Sequence, residues 1–155
     1  MTRVYLGLGS NLGNKRKNLE DALSFIKERI GIVVSLSSFY ETAPWGFESQ
    51  NSFLNAAIGV DTFLSPVELL HATQEIERLL GRRHKSVRKV YHDRPIDIDI
   101  LLFGNKVLHT EELTIPHPEM AGRRFVMEPL AEIAPDVMHP VYGKTIRELL
   151  SSVEN

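Results

Sequence analysis

Cysteine is absent from the 155-residue chain, which removes a disulfide framework, a thiolate zinc site, an iron–sulfur cluster and a cysteine nucleophile. Long apolar runs are absent as well. No stretch approaches the roughly 20 residues that cross a bilayer. The apolar run at the amino terminus meets polar residues by Ser10, too soon for a signal peptide. No membrane association and a cytoplasmic address are the expectation. Neither sign of charge dominates: 18 Lys and Arg stand against 20 Asp and Glu, a net of −2, which disfavours a general nucleic-acid coat. Repeats, low-complexity tracts and linkers are missing too. What is present is globular, with 43% hydrophobic and 25% charged residues. The length suits one domain over 1–155 with a core of its own.

Arg3 to Leu8 alternates and is β-prone, a first strand. Gly9 to Asn14 reads as a turn, and Leu19, Ala22, Leu23, Ile26 and Ile30 recur at helical spacing up to Gly31, the natural stop. Ile32 to Tyr40 reads as one second strand, and Phe53 to Phe63 as the third, after a loop holding Pro44, Trp45, Gly46 and Phe47. Ser65-Pro66-Val67-Glu68 is a capping box with proline at the first helical position. Leu69, Leu70, Thr73, Ile76 and Leu80 supply the buried stripe of that helix, and Gly81 its end. Ile96 to Phe103 is the fourth strand, turned by Gly104-Asn105 toward a short partner at Val107-Leu108. Prolines at 116, 118, 129, 135 and 140 predict short helices and loops, and Thr145 to Glu148 a second capping box opening a helix to about Val153. The order βαββαβ is the ferredoxin-like split arrangement. The expected fold is α+β: a mainly antiparallel sheet with helices packed on it and a carboxyl-terminal helical extension.

Two familiar motifs fail on counting. Gly7-Leu8-Gly9-Ser10-Asn11-Leu12 follows a strand, but a dinucleotide fingerprint needs glycine where Leu12 stands. A tight strand-to-helix turn is the remaining reading. Gly143-Lys144-Thr145 resembles the end of a P-loop, but the glycine required five residues earlier is Met138.

Arg94-Pro95-Ile96-Asp97-Ile98-Asp99-Ile100 is the most informative stretch. Strand periodicity puts Asp97 and Asp99 on one face, with Ile96, Ile98 and Ile100 on the other. Two carboxylates on an apolar strand need compensation, and Mg²⁺ characteristically takes one or two carboxylates plus phosphate oxygens. A solvated sheet face is the alternative. Residues 82–94 hold six cations (Arg82, Arg83, Lys85, Arg88, Lys89, Arg94) against one acid, Asp93, while the other residues carry twelve cations and nineteen acids. Such a run is either a solvated loop or, leading as it does into paired carboxylates, a grip for a polyphosphate. The other histidines show no metal spacing with His117. Asn55, within an otherwise apolar strand, needs a hydrogen-bonding partner if buried, and the polar edge of a ring would serve.

Taken together, several segments resemble the 6-hydroxymethyl-7,8-dihydropterin pyrophosphokinase family of folate biosynthesis. They are Gly9-Ser10-Asn11, Ser38 to Pro44, Phe53 to Ala57, Gln74 to Glu77, Gly81-Arg82, Arg94 to Phe103, and Pro116-His117-Pro118 with Arg123 and Phe125. The resemblance runs across nearly the whole chain. It implies a monomeric enzyme that moves pyrophosphate from ATP, its co-substrate, to the pterin hydroxymethyl group and releases AMP. It further implies two Mg²⁺ ions on Asp97 and Asp99, with Arg82 and Arg94 on the triphosphate. Gln74, Glu77, His117 and Arg123 match the ATP side. Thr42, Ala43, Trp45, Phe53, Asn55 and Phe125 match the pterin pocket, where Phe53 and Phe125 would sandwich the ring. His84, Arg88 and Tyr91 fall in a lid over residues 82–92, and His92-Asp93 stand where many members carry a small pair such as Gly-Pro. Neither nucleic acid nor membrane is an expected partner. Two rival readings use the same residues: an RNA-binding ferredoxin-like module, and a metal-dependent phosphohydrolase.

Overall fold

The computed structural model describes residues 1–42, 52–82 and 95–153. Its main sheet has the order β2-β4-β1-β5, all neighbours antiparallel, with β3 also paired to β4. The strands are β1 (Thr2–Ser10), β2 (Gly31–Leu36), β3 (Tyr40–Thr42), β4 (Phe53–Thr62) and β5 (Asp97–Phe103), and α1 (Lys15–Arg29) and α2 (Pro66–Arg82) complete the ferredoxin-like core. A short hairpin of β6 (Leu108–His109) and β7 (Thr114–Ile115) follows, then α3 (Arg124–Ile133) and α4 (Ile146–Ser151). None of the described helices is long and apolar enough to cross a membrane.

The sheet separates two cores. Val4, Leu6 and Leu8 of β1, Ile58 and Val60 of β4, and Ile98 and Ile100 of β5 pack under Leu19, Ala22 and Ile26 of α1 and Leu69, Ile76 and Leu80 of α2. Their strand neighbours Tyr5, Ala57, Leu101 and Leu102 face the other way, onto Met127 and Leu130 of α3 and Ile146 and Leu149 of α4. The carboxyl-terminal extension therefore covers the second face, but only toward one end of the strands. The alternation of β5 changes phase at one point: Tyr5 pairs with Leu102 and Leu6 with Ile100, which leaves Leu101 as a bulge.

Local chemistry accounts for most boundaries. Asn14 caps α1, its side chain accepting from the Lys17 amide at 3.1 Å. Both expected capping boxes form: Glu68 accepts from the Ser65 amide at 2.8 Å, and Thr145 and Glu148 cap α4 reciprocally.

Five expectations need correction. β1 runs on through Gly9 to Ser10, so these two residues are strand and not turn. Gly31 opens β2 and does not serve as a left-handed cap. A Cβ there would stand 2.1 Å from the Asp61 carbonyl oxygen, so it is close approach of two strands that requires glycine. The single strand read over Ile32 to Tyr40 is two. Ser37 breaks it, its hydroxyl accepting from the Ala57 amide at 2.9 Å and donating to the Ser38 carbonyl at 2.7 Å. α2 continues past Gly81 to Arg82. The partner of β6 is β7 rather than β5. The proline-rich remainder forms short helices and loops as expected, with Pro129 inside α3, where the buried faces of Met127 and Leu130 outweigh one lost helical hydrogen bond.

The turn between α3 and α4 carries a titratable group. His139 is 3% exposed, stacks on Tyr142 with ring centroids 4.5 Å apart, and accepts at Nδ1 from the Val141 and Tyr142 amides at 3.2 Å each. Burial holds its pKa below the ordinary histidine value. The unfolded chain therefore binds the proton more readily, and the associated stability, complete above a pH of about 6.5, declines below that value and is lost as pH falls through the lower folded-state pKa. Urea denaturation should show the parent losing stability between about pH 7 and about pH 5, with a shallower loss for His139→Gln. Equal slopes would exclude this role.

Candidate functional site

On the second face of the sheet, pairing register fixes which residues the strands display beyond α3 and α4. One rank runs Tyr40–Asn55–Gly9–Asp97 across β3, β4, β1 and β5. The next runs Ala57–Gly7–Asp99, and Thr42 stands opposite Phe53 at the outer end. Residues opposite one another in such ladders share a face. The central strand thus presents glycine between an amide on one side and carboxylates on the other. A Cβ on Gly9 would approach Asn55 Oδ1 to 3.0 Å and Phe53 Cδ1 to 3.7 Å. Gly9 is buried under these two side chains and Gly7 lies against Leu101, so in the trough between the two banks the glycines make room for their neighbours.

On the β5 bank, Asp97 and Asp99 are half-buried while Ile98 and Ile100 lie in the core. Glu77 of α2 accepts from the Ile98 amide at 2.8 Å, between the two aspartates, and so fixes α2 against this end of β5. His117 is held by its own amide, which donates to the Leu101 carbonyl at 3.0 Å. Its Nδ1 accepts from the Glu119 amide at 3.2 Å, and its Nε2 stands 3.8 Å from Asp99 Oδ1. Burial pushes the His117 pKa below its ordinary value; Arg123 nearby adds to the fall, and Glu119 and Asp97 oppose it. With Nδ1 engaged as acceptor, the neutral ring carries its proton on Nε2, a donor aimed at the space over Asp99.

Beside this bank lies a hollow of about 280 Å³ between α2, β5 and the β6–β7 hairpin, near the lower size limit of small-molecule sites. Leu70, Ile98, Ile100 and Leu113 give it apolar walls, and Asp99 and His117 close the end next to the trough.

On the β4 bank, Asn55 is 6% exposed and donates from Nδ2 to Thr42 Oγ1 at 2.9 Å. Part of the hydrogen bonding expected from a ring edge is therefore met within the protein. Arg123, just before α3, donates to Glu119 Oε1 at 2.7 Å and lies 5.7 Å from the centroid of the half-buried Phe125 ring.

Register and packing bring together Asp97, Asp99, His117 and Glu77 on one bank, and Thr42, Phe53 and Asn55 on the other. Gln74 is exposed on α2, one turn before Glu77. Ala43, Trp45, His84, Arg88, Tyr91 and Arg94 lie outside the described residues, as do the Arg82 side chain and residues 83–92 of the expected lid. Gly9 as a strand residue beside Gly7, and the hollow, were missed in the sequence. Strand periodicity carried through Ser10 would have put both glycines on the face of Asn55 and the aspartates; the hollow left no local signal, because its walls come from three distant segments.

The carboxylates fit a magnesium ion. They are adjacent, half-buried and opposite the glycines of β1. Among the described residues no group of three or more acids and histidines forms a cage. That donor set suits a hard cation that keeps water and phosphate oxygens as its remaining ligands, not a tetrahedral zinc centre.

Comparisons with known proteins agree with one another. A family profile described as 7,8-dihydro-6-hydroxymethylpterin-pyrophosphokinase (HPPK) matches residues 5–135. A Porphyromonas gingivalis protein named 2-amino-4-hydroxy-6-hydroxymethyldihydropteridine pyrophosphokinase is 52% identical over 141 residues, 90% of this chain and 95% of that one. An Aquifex aeolicus protein of the same name is 41% identical over 148 residues, 96% of this chain and 90% of that one. Among solved structures, Plasmodium falciparum wild-type HPPK-DHPS with pteroate superposes with a TM-score of 0.80 at 19% identity. The match covers 97% of this chain and 44% of the longer one, and at that identity it speaks for the fold.

The role of Gly9 is open to a direct test. Gly9→Ala should displace the Asn55 amide, visible as a shift of its side-chain NH₂ resonances, and cost about 1–2 kcal/mol. Gly81→Ala, where a Cβ meets nothing within 4 Å, should instead stabilise by about 0.5–1 kcal/mol. Equal effects at the two positions would remove the claim that Gly9 is required for space.

Proposed function

The chain belongs to the 7,8-dihydro-6-hydroxymethylpterin-pyrophosphokinase family of folate-biosynthesis enzymes, and from that premise we propose that it transfers pyrophosphate from ATP to 6-hydroxymethyl-7,8-dihydropterin. The hydroxymethyl oxygen bonds to the β-phosphorus, the link between the α- and β-phosphates breaks, and AMP leaves. Residues 1–155 act as one pyrophosphokinase domain, a cytoplasmic monomer with neither nucleic acid nor membrane as partner.

The observation that carries this reading is the rank Asn55–Gly9–Asp97. Two strand spacings, about 9–10 Å, separate the amide bank from the carboxylate bank. A pterin read by Asn55 and a triphosphate over Asp97 and Asp99 would meet above the glycine strand. The hollow beside Asp99 suits the adenine base, which leads its phosphates toward the trough. Two Mg²⁺ ions on Asp97 and Asp99 would neutralise phosphate charge and polarise the attacked phosphorus.

The protein's own groups orient the reactants. Asn55, steadied by Thr42, reads the polar edge of the pterin, and Phe53 and Phe125, with Ala43 and Trp45, supply flat apolar contact. His117 donates from Nε2 to a phosphate oxygen over Asp99. Arg123, Arg82 and Arg94 add guanidinium donors for the triphosphate. Gln74 contributes on the ATP side, and Glu77 holds the backbone between the two aspartates. Catalysis on this reading is positioning plus charge stabilisation, with no strong side-chain base required.

Product analysis tests it. With ATP and Mg²⁺, AMP should form only after hydroxymethyldihydropterin is added; ADP or phosphate released without the pterin would mean hydrolysis and overturn the reading. Asp97→Ala should lower turnover about a hundredfold or more while leaving the melting temperature unchanged or raised, since one of two facing like charges is gone. Asn55→Ala should weaken pterin binding about tenfold and leave ATP binding intact. Calorimetry showing equal loss for both ligands would point to a general defect.

A further inference from the structure

Glu132, near the end of α3, gathers an unusual number of donors for an exposed carboxylate. The Ser38 amide donates to its two oxygens at 3.0 and 3.1 Å, the Ser38 hydroxyl at 3.1 Å, and the Tyr40 hydroxyl at 2.6 Å. These bonds span the break between β2 and β3, where Ser37 has already turned its side chain toward β4. Charge-assisted bonds of this kind are about twice as strong as neutral ones. The pairing leaves its mark on both partners. Sharing its proton with Glu132 raises the Tyr40 pKa to about 12, and the same bond, with those from Ser38, holds Glu132 below the usual carboxylate range. One protonation state therefore persists across neutral pH.

Position gives the contact its meaning. Tyr40 stands directly opposite Asn55 in the β3–β4 ladder, on the face that carries the trough, and two residues on Thr42 accepts from Asn55. Glu132 belongs to the same helix as Phe125, and that helix packs against both β3 and β4. A single carboxylate thus ties the strand that flanks Asn55 to the helix whose first turn bears Phe125.

We propose that Glu132 and Tyr40 form a positioning pair that sets the separation between the Asn55 bank and Phe125, and so tunes the site for pterin rather than for ATP. The proposal rests on the assignment of that bank to the pterin. Neither residue touches the reacting atoms; they act through Asn55, Thr42 and Phe125. Tyr40→Phe removes only a hydroxyl and keeps the ring, so it isolates the bond from packing.

Steady-state kinetics on the intact enzyme decides. Tyr40→Phe and Glu132→Ala should each raise KM for hydroxymethyldihydropterin about fivefold, with KM for ATP unchanged within about twofold. The double variant should be no worse than either alone, because both remove one interaction, and Glu132→Gln, which keeps an acceptor oxygen, should recover most of the loss. A rise shared equally by both substrates, or effects that multiply in the double variant, would reduce the pair to a structural tie and overturn the proposal. Should Glu132→Ala fail to fold, Tyr40→Phe decides alone. Asn55→Ala measured in parallel separates the two levels. If it raises the pterin KM and Tyr40→Phe does not, the pair falls and the pterin bank stands; if neither moves it, the bank assignment itself falls.

Discussion

Leu101 stands unpaired in the ladder between β1 and β5, and the division of labour along β5 follows from that bulge. Ile98 and Ile100 point into the core under α1 and α2. Strict alternation would send Leu102 after them and Phe103 to the opposite face. With one extra residue, Leu101 and Leu102 both join the core beneath α3 and α4, and Phe103 returns to the first core. The second half of the strand is therefore apolar on both faces, while the first half keeps Asp97 and Asp99 on the second face, beyond α3 and α4. Were the extension to reach further along the sheet it would take two carboxylates out of water, at a cost of several kcal/mol per ion. The boundary of that cover falls where the chemistry of β5 changes.

The same boundary organises the groups around it. Leu101 provides the carbonyl that holds the His117 amide, so the bulge also delivers an imidazole to the edge of the carboxylate bank. Glu77 reaches from α2 to the amide between the aspartates. Both hydrogen bonds fix the backbone of the strand that bears the two carboxylates, one between them at Ile98 and one beyond them at Leu101. Across the glycine strand the opposite bank is neutral: Asn55 and Thr42 hydrogen-bond each other, and the Phe53 ring stands beside Gly9. Charge collects over β5 and flat neutral surface over β4. That is the asymmetry a reaction between a polyphosphate and a heterocyclic alcohol needs.

Much of this was legible in the amino-acid order. Alternation from Ile96 to Ile100 separates acids from core residues, the two capping boxes mark helix starts, and the element order βαββαβ matches the observed topology. Expectation and structure part where a residue's role depends on a neighbour far away in sequence. Gly31 looks like a helix stop, yet the atom that demands glycine is the carbonyl of Asp61 on another strand. Gly9 looks like the start of a turn because glycine ends strands more often than it continues them. Ser37 splits a β-prone run because its hydroxyl meets the amide of Ala57, twenty residues on.

By itself the sequence determined the periodicities, the caps and the identity of the groups able to carry chemistry, since these depend on residues within a few positions of one another. It also determined the family, because the Arg94-Pro95-Ile96-Asp97-Ile98-Asp99 run and its companions match as linear motifs. Only the tertiary structure decided how far α3 and α4 cover the second face of the sheet, that Gly9 lies between Asn55 and Asp97, that a hollow opens beside Asp99, and that Glu132 meets Tyr40 across 92 positions. Each of these is a distance between segments remote in the chain. Such distances are set by strand register, by a one-residue bulge and by how far a packed helix extends, and none of the three has a signature in any single window of residues.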